Sequence, residues 1–179
     1  MHVIERTVVR GLPAQIRGDC RVLVLGSMPG VASLQAAQYY AHPRNRFWPL
    51  MTRLLAVDGA GYDQRLARLH AAGVGLWDVI GACARIGSLD AAIERASIVP
   101  NALPEYLARL GNLRAVACNG AEAHRLWQRW IGPRLPASAP ALPVLALPST
   151  SPANAGFSLE RLEGEWRRLL DFLPSPDPG

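Results

Sequence analysis

The chain contains no lysine, and all nineteen of its basic residues are arginine. A P-loop needs a lysine to reach the phosphates of a nucleoside triphosphate, and a Schiff-base enzyme needs an amine. Both chemistries are therefore disfavoured, since only the α-amino group could form an imine. The formal net charge of +5 is compatible with a nucleic-acid partner, but many basic proteins bind none. Charge by itself does not decide the function.

Cysteine is also scarce, with three residues in the whole chain. Cys20, Cys83 and Cys118 lie far apart and form no CxxC pair, so their spacing indicates neither a disulfide framework nor a zinc or iron–sulfur centre. The four histidines show no HExxH or HxE spacing for zinc. We predict three buried free thiols and a protein that needs no metal and no cofactor.

Long hydrophobic runs are absent as well. No apolar segment approaches the roughly 18 residues that span a membrane. The N-terminal sequence MHVIERTVVRGLP carries charges where a secretory signal would be apolar. We expect no membrane association and a cytoplasmic location. Half of the 179 residues are apolar, which is enough for a sizeable core, and we expect one domain over residues 1–179.

Four short, almost continuously apolar runs alternate with amphipathic segments along the chain. Such runs are typical of strands covered on both faces in a parallel sheet. The predicted strands are residues 21–27, 73–80, 113–120 and 143–149. The predicted helices are residues 45–57, 64–70, 102–110, 121–130 and 159–173, the last with Ser158 as its N-cap. This alternation predicts an α/β fold of three layers, α/β/α, with a small central four-stranded parallel sheet.

The first candidate site is the loop after the first predicted strand, because open α/β sheets bind ligands at the carboxyl ends of their strands. Gly26 and Gly30 bracket Ser27, Met28 and Pro29 in a tight loop whose amides could closely approach an anion or a base edge. The same residues also suit an ordinary strand-to-helix turn, and they do not form a GxGxxG motif. Spacing alone leaves both interpretations open.

Aromatic and basic residues follow this loop in the string QYYAHPRNRFW. A tyrosine can stack on a base while Arg44 and Arg46 contact phosphates, a combination that nucleic-acid sites use. Tyr39 could equally belong to the core, and both arginines could be solvated. Adjacent tyrosines cannot share one environment in regular structure, so one of them is expected to face the cleft. His42 could act as a general base or as a hydrogen-bonding loop residue.

The second candidate site is LPSTSPAN, residues 147–154, which follows the fourth predicted strand. It places three hydroxyls between two prolines and an amide two residues after the second proline. Rigidly held hydroxyls and backbone N–H groups suit phosphate oxygens, and a rigid loop can press into a duplex from which a base has been removed. A simple turn followed by a helix cap is the alternative.

The motifs GSMPG, QYYAHPRNRFW, LWDVIGACARIGSLDAAI, CNG and LPSTSPAN occur in this order. Their succession resembles the uracil-DNA glycosylase superfamily, and specifically its branch of hypoxanthine-DNA (DNA-deoxyinosine) glycosylases. The resemblance covers nearly the whole chain, and the order is far more specific than any single motif. It implies a monomeric base-excision repair enzyme that flips a deaminated base, hypoxanthine by preference, out of double-stranded DNA. The enzyme would hydrolyse the N-glycosidic bond without cutting the strand, in agreement with the missing lysine.

The resemblance also implies roles for individual residues. The loop of residues 26–30 would form the floor of the base pocket, beside His42. Tyr40 would stack on the flipped base, and Asn45 would present its amide to the base or to the attacking water. The residues implied to contact DNA are Arg44, Arg46, Ser149, Thr150, Ser151 and Asn154.

Two positions depart from the pattern of the superfamily. Met28 stands where the uracil-specific branch carries an aspartate and the mismatch-specific branch an asparagine, and a thioether cannot position water. Leu147 aligns with the histidine that opens the second motif of the uracil enzymes. Asn45 is therefore the catalytic candidate, as it is in the hypoxanthine branch. Asp78 and Asp90 are either pocket walls or groups that orient water.

Three other interpretations stay open at this point. The same fold could excise uracil, or thymine from mismatches, and the chain could also be a catalytically poor nucleic-acid-binding relative. An unrelated Rossmann-like hydrolase is disfavoured, because the sequence has neither a nucleotide-phosphate motif nor a GxSxG nucleophile elbow.

Overall fold

The computed structural model describes residues 7–139 and 141–175. The strands, in chain order, are β1 (Val8–Arg10), β2 (Val22–Gly26), β3 (Val74–Asp78), β4 (Ile80–Ala84), β5 (Val99–Pro100), β6 (Ala115–Asn119) and β7 (Val144–Leu147). The helices are α1 (Val31–Ala36), α2 (Phe47–Leu55), α3 (Tyr62–Ala71), α4 (Leu103–Leu107), α5 (Ala121–Leu126) and α6 (Leu159–Trp166).

The central sheet has four parallel strands in the order β3-β2-β6-β7. Every residue of β2 is buried, because helices cover both faces of a sheet of this kind. Helix α2 packs against α3 and α6, and α3 also packs on β3, while α5 packs on β6 and β7. Right-handed crossovers place connections that run in opposite directions along the sheet on opposite faces. The predicted α/β class and the four-stranded parallel sheet are confirmed.

A second, antiparallel sheet of three strands, β1-β4-β5, was not predicted. The apolar run at residues 73–80 predicted a single strand, but the chain leaves the parallel sheet after Asp78. Val79 N–H donates to the Gly26 carbonyl at 2.9 Å, and Ile80 N–H donates to the Ser27 carbonyl at 3.0 Å. These two bonds bend the chain over the end of β2, and a continuous apolar run does not reveal such a bend.

The helix predictions hold in the middle of each segment and deviate at the ends. Helix α1 was not predicted, since six residues are too few to show a periodicity. The predicted helix at residues 121–130 is α-helical only through α5 and continues as a π-helical turn, Trp127–Ile131. The last helix becomes 3₁₀-helical at Arg167–Phe172. Ser158 is confirmed as its N-cap, because its hydroxyl oxygen accepts from Arg161 N–H at 3.2 Å.

Three aromatic residues join the core to the carboxyl end of the sheet. Phe47 is fully buried and makes edge contacts with Trp48 and Trp166. The Trp166 indole N–H donates to the Pro148 carbonyl at 2.9 Å, which ties α6 to the loop after β7. All three cysteines are buried free thiols, as predicted. None of the helices in the described ranges is long and apolar enough to cross a bilayer.

Candidate active site

A cavity of about 600 Å³ opens at the carboxyl ends of the four parallel strands. Gly26 ends β2, Asp78 ends β3, Asn119 ends β6, and the segment 148–154 follows β7; all of them line the cavity. β2 and β6 are central neighbours from which the chain crosses to opposite edges of the sheet. The cavity therefore lies at the switch point where open α/β sheets bind ligands, and its volume suits a small organic ligand.

The loop after β2 forms the floor of this cavity, and residues 26–30 all line it. A Cβ atom on Gly26 would overlap the Asp78 carboxylate and would lie 3.6 Å from the Tyr40 hydroxyl. Glycine is thus required here, because any larger side chain would collide with the Asp78 carboxylate. The Ser27 hydroxyl donates to Asp90 Oδ1 at 2.6 Å, and Met28 is buried.

One backbone N–H group and one hydroxyl fix the orientation of the Asn45 side chain. Its Oδ1 accepts from Phe47 N–H at 2.9 Å and from the Thr150 hydroxyl at 2.9 Å. Because a backbone N–H can only donate, the atom facing it must be the amide oxygen and not the nitrogen. The Asn45 oxygen is therefore turned into the protein. The Asn45 NH₂ group is the part of this side chain that can donate to a ligand in the cavity that Asn45 lines.

Asn119 and Thr150 extend this arrangement. Asn119 Oδ1 accepts from Thr150 N–H at 3.0 Å, and Asn119 Nδ2 donates to Thr150 Oγ1 at 3.0 Å. Because the Thr150 hydroxyl oxygen already accepts this hydrogen bond, its O–H donates to Asn45 Oδ1. Thr150 is fully buried, so it cannot reach a phosphate as the sequence resemblance implied. Its contacts instead position the catalytic candidate.

Asp78 ends β3, which lies on the other side of β2 from β6; it lines the cavity and is buried. Its Oδ2 accepts no hydrogen bond from any residue that the structure describes. Burial first, and then the nearby Asp90, raise the pKa of Asp78 to about 7, against the opposing effect of Arg85. The unpartnered oxygen of Asp78 therefore belongs to a group that can change charge near neutral pH.

Tyr40 and His42 both line the cavity, as the resemblance implied. One face of the Tyr40 ring stacks on Phe47 with centroids 4.1 Å apart, and its backbone takes a left-handed conformation with φ +56°. Burial, and then Asp78, raise the pKa of Tyr40, which keeps the phenol neutral. His42 Nδ1 accepts from Arg44 N–H at 3.1 Å, so the proton of a neutral imidazole lies on Nε2. Tyr39 is the core tyrosine of the pair, with its hydroxyl donating to Pro13 O at 2.8 Å.

The loop of residues 149–154 is held by its own hydrogen bonds. Ser149 Oγ accepts from Ser151 N–H at 3.1 Å, and Asn154 Nδ2 donates to the Ser149 carbonyl at 3.0 Å. Ser151 Oγ accepts from Ala153 N–H at 3.2 Å. Since both serine oxygens act as acceptors, their hydroxyl hydrogens can point outward to a ligand.

The two arginines of the HPRNR string have different surroundings. Arg44 is exposed and can meet a phosphate. The Arg46 guanidinium instead donates to the backbone carbonyls of Phe157, Ser151 and Asn154, the last two at 2.9 Å. Its hydrogen-bonding groups are turned inward, so Arg46 holds the loop after β7 in place. This geometry does not favour the phosphate contact that the resemblance implied for Arg46.

The comparison with protein families decides the identity of the fold. Residues 13–172 match the uracil DNA glycosylase superfamily. The chain belongs to this superfamily. It is 34% identical over 167 residues to a hypoxanthine DNA glycosylase of Methanosarcina acetivorans, covering 91% of this chain and 98% of the relative. It is 35% identical over 116 residues to a hypoxanthine DNA glycosylase of Methanosarcina barkeri, covering 64% of this chain and 72% of the relative.

A solved structure of the superfamily has the same fold. The solution NMR structure of a candidate uracil DNA glycosylase from Methanosarcina acetivorans superposes with a TM-score of 0.73 at 30% identity. The match covers 92% of this chain and 99% of that chain. As a member of the superfamily the chain is a DNA glycosylase, and its substrate is DNA.

The sequence had not placed Asn119 in the site, and it left Asp78 undecided. Asn119 ends a predicted strand, so the rule that ligands bind at the carboxyl ends of strands could have found it. The place of Asp78 in the site could not be predicted from the sequence, because the continuous apolar run does not show where β3 ends. Both side chains of the undecided pair Asp78 and Asp90 lie on the cavity wall. Among residues 7–139 and 141–175, no three His, Cys, Asp or Glu side chains cluster as a metal site requires.

Proposed function

We propose that the chain is a monofunctional hypoxanthine-DNA glycosylase that hydrolyses the N-glycosidic bond of deoxyinosine with Asn45 as its catalytic residue. Two relatives at 34% and 35% identity carry the name hypoxanthine DNA glycosylase, which supports the choice of base. The observation that carries the mechanism is the fixed amide of Asn45, whose NH₂ group is the part left to act on a ligand.

The physical reason lies in the charge that develops as the bond breaks. The glycosidic bond cleaves through an oxocarbenium-like state in which the departing base gains negative charge. An N–H group that is already oriented stabilises this charge without reorganisation, and one such donor typically accelerates a reaction about 10²- to 10³-fold. Water then adds to C1′, and its proton passes to solvent or to the base. Because the Asn45 oxygen already accepts two hydrogen bonds, the side chain donates from its NH₂ group to the base and does not accept a hydrogen bond from the attacking water.

The pocket also supports the choice of a purine. A cavity of about 600 Å³ has room for the two rings of hypoxanthine. One face of Tyr40 is covered by Phe47, and we assign the other face to stacking on the flipped base. Met28 and Pro29 complete an apolar floor beneath it. A uracil-specific pocket would not need this space, so excision of uracil is the weaker alternative.

The proposed partner is double-stranded DNA that contains a deaminated base. Ser149, Ser151 and Asn154 line the cavity, and Arg44 is exposed one residue before Asn45. We assign all four to the DNA backbone around the flipped nucleotide. The enzyme is proposed to act as a monomer, since one chain supplies all the residues named here, and to work in the cytoplasm.

The test uses labelled duplexes that each contain one hypoxanthine, uracil, xanthine or G·T site, followed by alkali to cleave abasic sites. We expect product from hypoxanthine first and no strand break before alkali. Uracil released well ahead of hypoxanthine would replace this proposal with its alternative. No product from any duplex would reject an enzymatic function.

A further inference from the structure

One acid holds two arginines from different parts of the chain. Arg95 lies on the connection between β4 and β5, whereas Glu122 and Arg125 lie on α5. Arg95 Nη2 is 2.7 Å from Glu122 Oε1, and Arg125 Nε and Nη2 donate to Glu122 Oε2 at 3.1 and 2.7 Å. The Glu122 side chain is 11% exposed, while those of Arg95 and Arg125, here called the arginine pair, are 63% and 65% exposed. The carboxylate is therefore the inner member of the cluster, and both guanidinium groups are open to solvent.

The arginine pair lies close to the cavity. Ala91 and Ala121 line the cavity, and each member of the pair follows one of these alanines by four residues. Burial raises the pKa of Asp90, which also lines the cavity, and the charges of Glu122 and Arg95 act on this carboxyl as well. A DNA strand that delivers a nucleotide into the cavity therefore brings neighbouring phosphates near the pair.

The arginine pair carries an excess of positive charge. Its two guanidinium groups share the single carboxylate of Glu122, and residues 121–134 contain three arginines and no other acid. By contrast, the ion-paired cluster between α2 and α6 joins two arginines to two glutamates. Residues 159–172, which contain α6, carry four acids and three arginines. Positive charge therefore accumulates around α5 and not around α6, and such a local excess attracts polyanions.

Each guanidinium group of the pair keeps donors for a second partner. Arg125 uses Nε and Nη2 on Glu122, which leaves Nη1, and Arg95 uses Nη2, which leaves Nη1 and Nε. Within residues 7–139 and 141–175, neither guanidinium donates to any other group. Glu122 also holds both groups in place, so that they lose little conformational freedom when they bind a ligand.

We propose that Arg95 and Arg125 bind backbone phosphates of the DNA duplex near the flipped nucleotide, with Glu122 as the residue that positions them. The proposal rests on the action on double-stranded DNA proposed above. A guanidinium group suits phosphate oxygens because its planar N–H donors can make two parallel, charge-assisted hydrogen bonds. Contacts of this kind add affinity and fix the position of the duplex without selecting the base.

A scan of the phosphates tests the contact directly. The ligand is a duplex with 2′-fluoro-deoxyinosine, whose fluorine destabilises the oxocarbenium-like state, so the base is not excised during the measurement. Each phosphate near this nucleotide is replaced in turn by an uncharged methylphosphonate, and the affinity is measured for wild type and R95Q/R125Q. Replacement of a contacted phosphate should weaken wild-type binding about threefold or more and leave the variant unaffected, because the variant has already lost that contact. Equal losses for both proteins at every phosphate would overturn the proposal.

Two further variants serve as controls, and melting temperatures check the fold of each. R68Q/R114Q removes two exposed arginines at the amino end of the parallel sheet, in the last turn of α3 and directly before β6, and should keep the wild-type pattern. R95Q/E122Q/R125Q also removes the carboxylate that the double variant leaves unpaired, and it should still lack the sensitive phosphates. If this triple variant regained them, repulsion by Glu122 would explain the double variant, and the proposal would be wrong.

Salt dependence supplies the second measurement. Each phosphate contact contributes about 0.9 to the slope of log K against log salt concentration, so R95Q/R125Q should lower its magnitude by about two and bind about tenfold or more weakly. An unchanged slope would contradict the contacts. Phosphate-specific losses that depend on the arginine pair, together with no excision of normal deoxyinosine, would reject the proposed function and leave the phosphate contacts standing. Excision without such losses would do the reverse.

Discussion

The two sides of the cavity are built on different principles. One side, the amide wall, consists of Asn45, Asn119 and Thr150, whose oxygen atoms all accept identified hydrogen bonds. The other side, the acid wall, consists of Asp78 and Asp90. There Asp90 is paired with Ser27, whereas Asp78 Oδ2 has no partner among the described residues. The amide wall has one charge state at all pH values, and the acid wall does not.

This difference separates two tasks in the proposed reaction. A fixed amide donates to the leaving base with a strength that does not vary with pH. A buried acid beside the same base is harmless while protonated, but it opposes the developing negative charge once it ionises. In the proposed reaction, the amide wall therefore supplies the acceleration, and the acid wall sets the pH range in which the enzyme operates.

The largest effect is expected from Asn45→Asp. Aspartate keeps the acceptor oxygen that faces Phe47 N–H and Thr150, but it replaces the donating NH₂ group by a second oxygen. Single-turnover excision should fall about 10²- to 10³-fold, as for the loss of one oriented donor. The rate is measured on a hypoxanthine duplex with saturating enzyme. The fold is checked by melting temperature, and near wild-type rates in N45D would show that donation by Asn45 is not used.

A smaller loss is expected from Thr150→Val, which keeps the shape of the side chain but removes the hydroxyl that holds the Asn45 oxygen. Misplacement of a catalytic group typically costs about 10- to 100-fold, so kcat should fall within that range. The matched control is T150S, which retains the hydroxyl and should recover most of the rate. If T150V lowered only the stability and left kcat unchanged, Thr150 would have no positioning role.

The amide wall also shows how far the sequence could predict the site. The strand-end rule brought the loops containing Gly26 and Ser149 to one place, and the motif resemblance selected Asn45. Neither could show which atom of the Asn45 amide faces the cavity. That depends on Phe47 N–H and on a contact with Thr150, which is 105 residues away in the sequence. The inward position of Thr150 escaped prediction for the same reason.

The fold was predictable to the extent that it is periodic. Continuously apolar runs identified all four strands of the parallel sheet, because burial on both faces demands such sequences. The three-stranded sheet was missed because β4 continues the same apolar run as β3, and because β5 has only two residues. The end of β3 is set by hydrogen bonds to Gly26 and Ser27, which are distant in sequence.

The acid wall is tested by the pH dependence of excision. The wild-type rate should fall as the pH rises through about 7, because Asp78 then becomes charged beside the departing base. Asp78→Asn cannot ionise and should retain its rate, so that the two enzymes diverge by about three- to tenfold at pH 8.5. Asp90, Arg85, Tyr39 and Tyr40 are unchanged in this variant. Parallel pH profiles would show that Asp78 does not control the reaction.

The smallest expected effect is on stability. The pH dependence of the melting temperature checks the pKa of Asp78 independently of excision. Burial raises the pKa of Asp78 to about 7 in the folded protein from 3.8 in the unfolded chain. Between these values the folded state retains a proton that the unfolded state has lost, so this group favours folding less as the pH rises. Asp78→Asn removes the titration, and its melting temperature relative to wild type should therefore increase from pH 4 to pH 7 and then level off.

The matched control D63N changes an exposed acid at the start of α3 and should show no such trend. A constant difference between D78N and wild type across this range would mean that Asp78 is ionised throughout, and the acid wall would then carry a permanent charge.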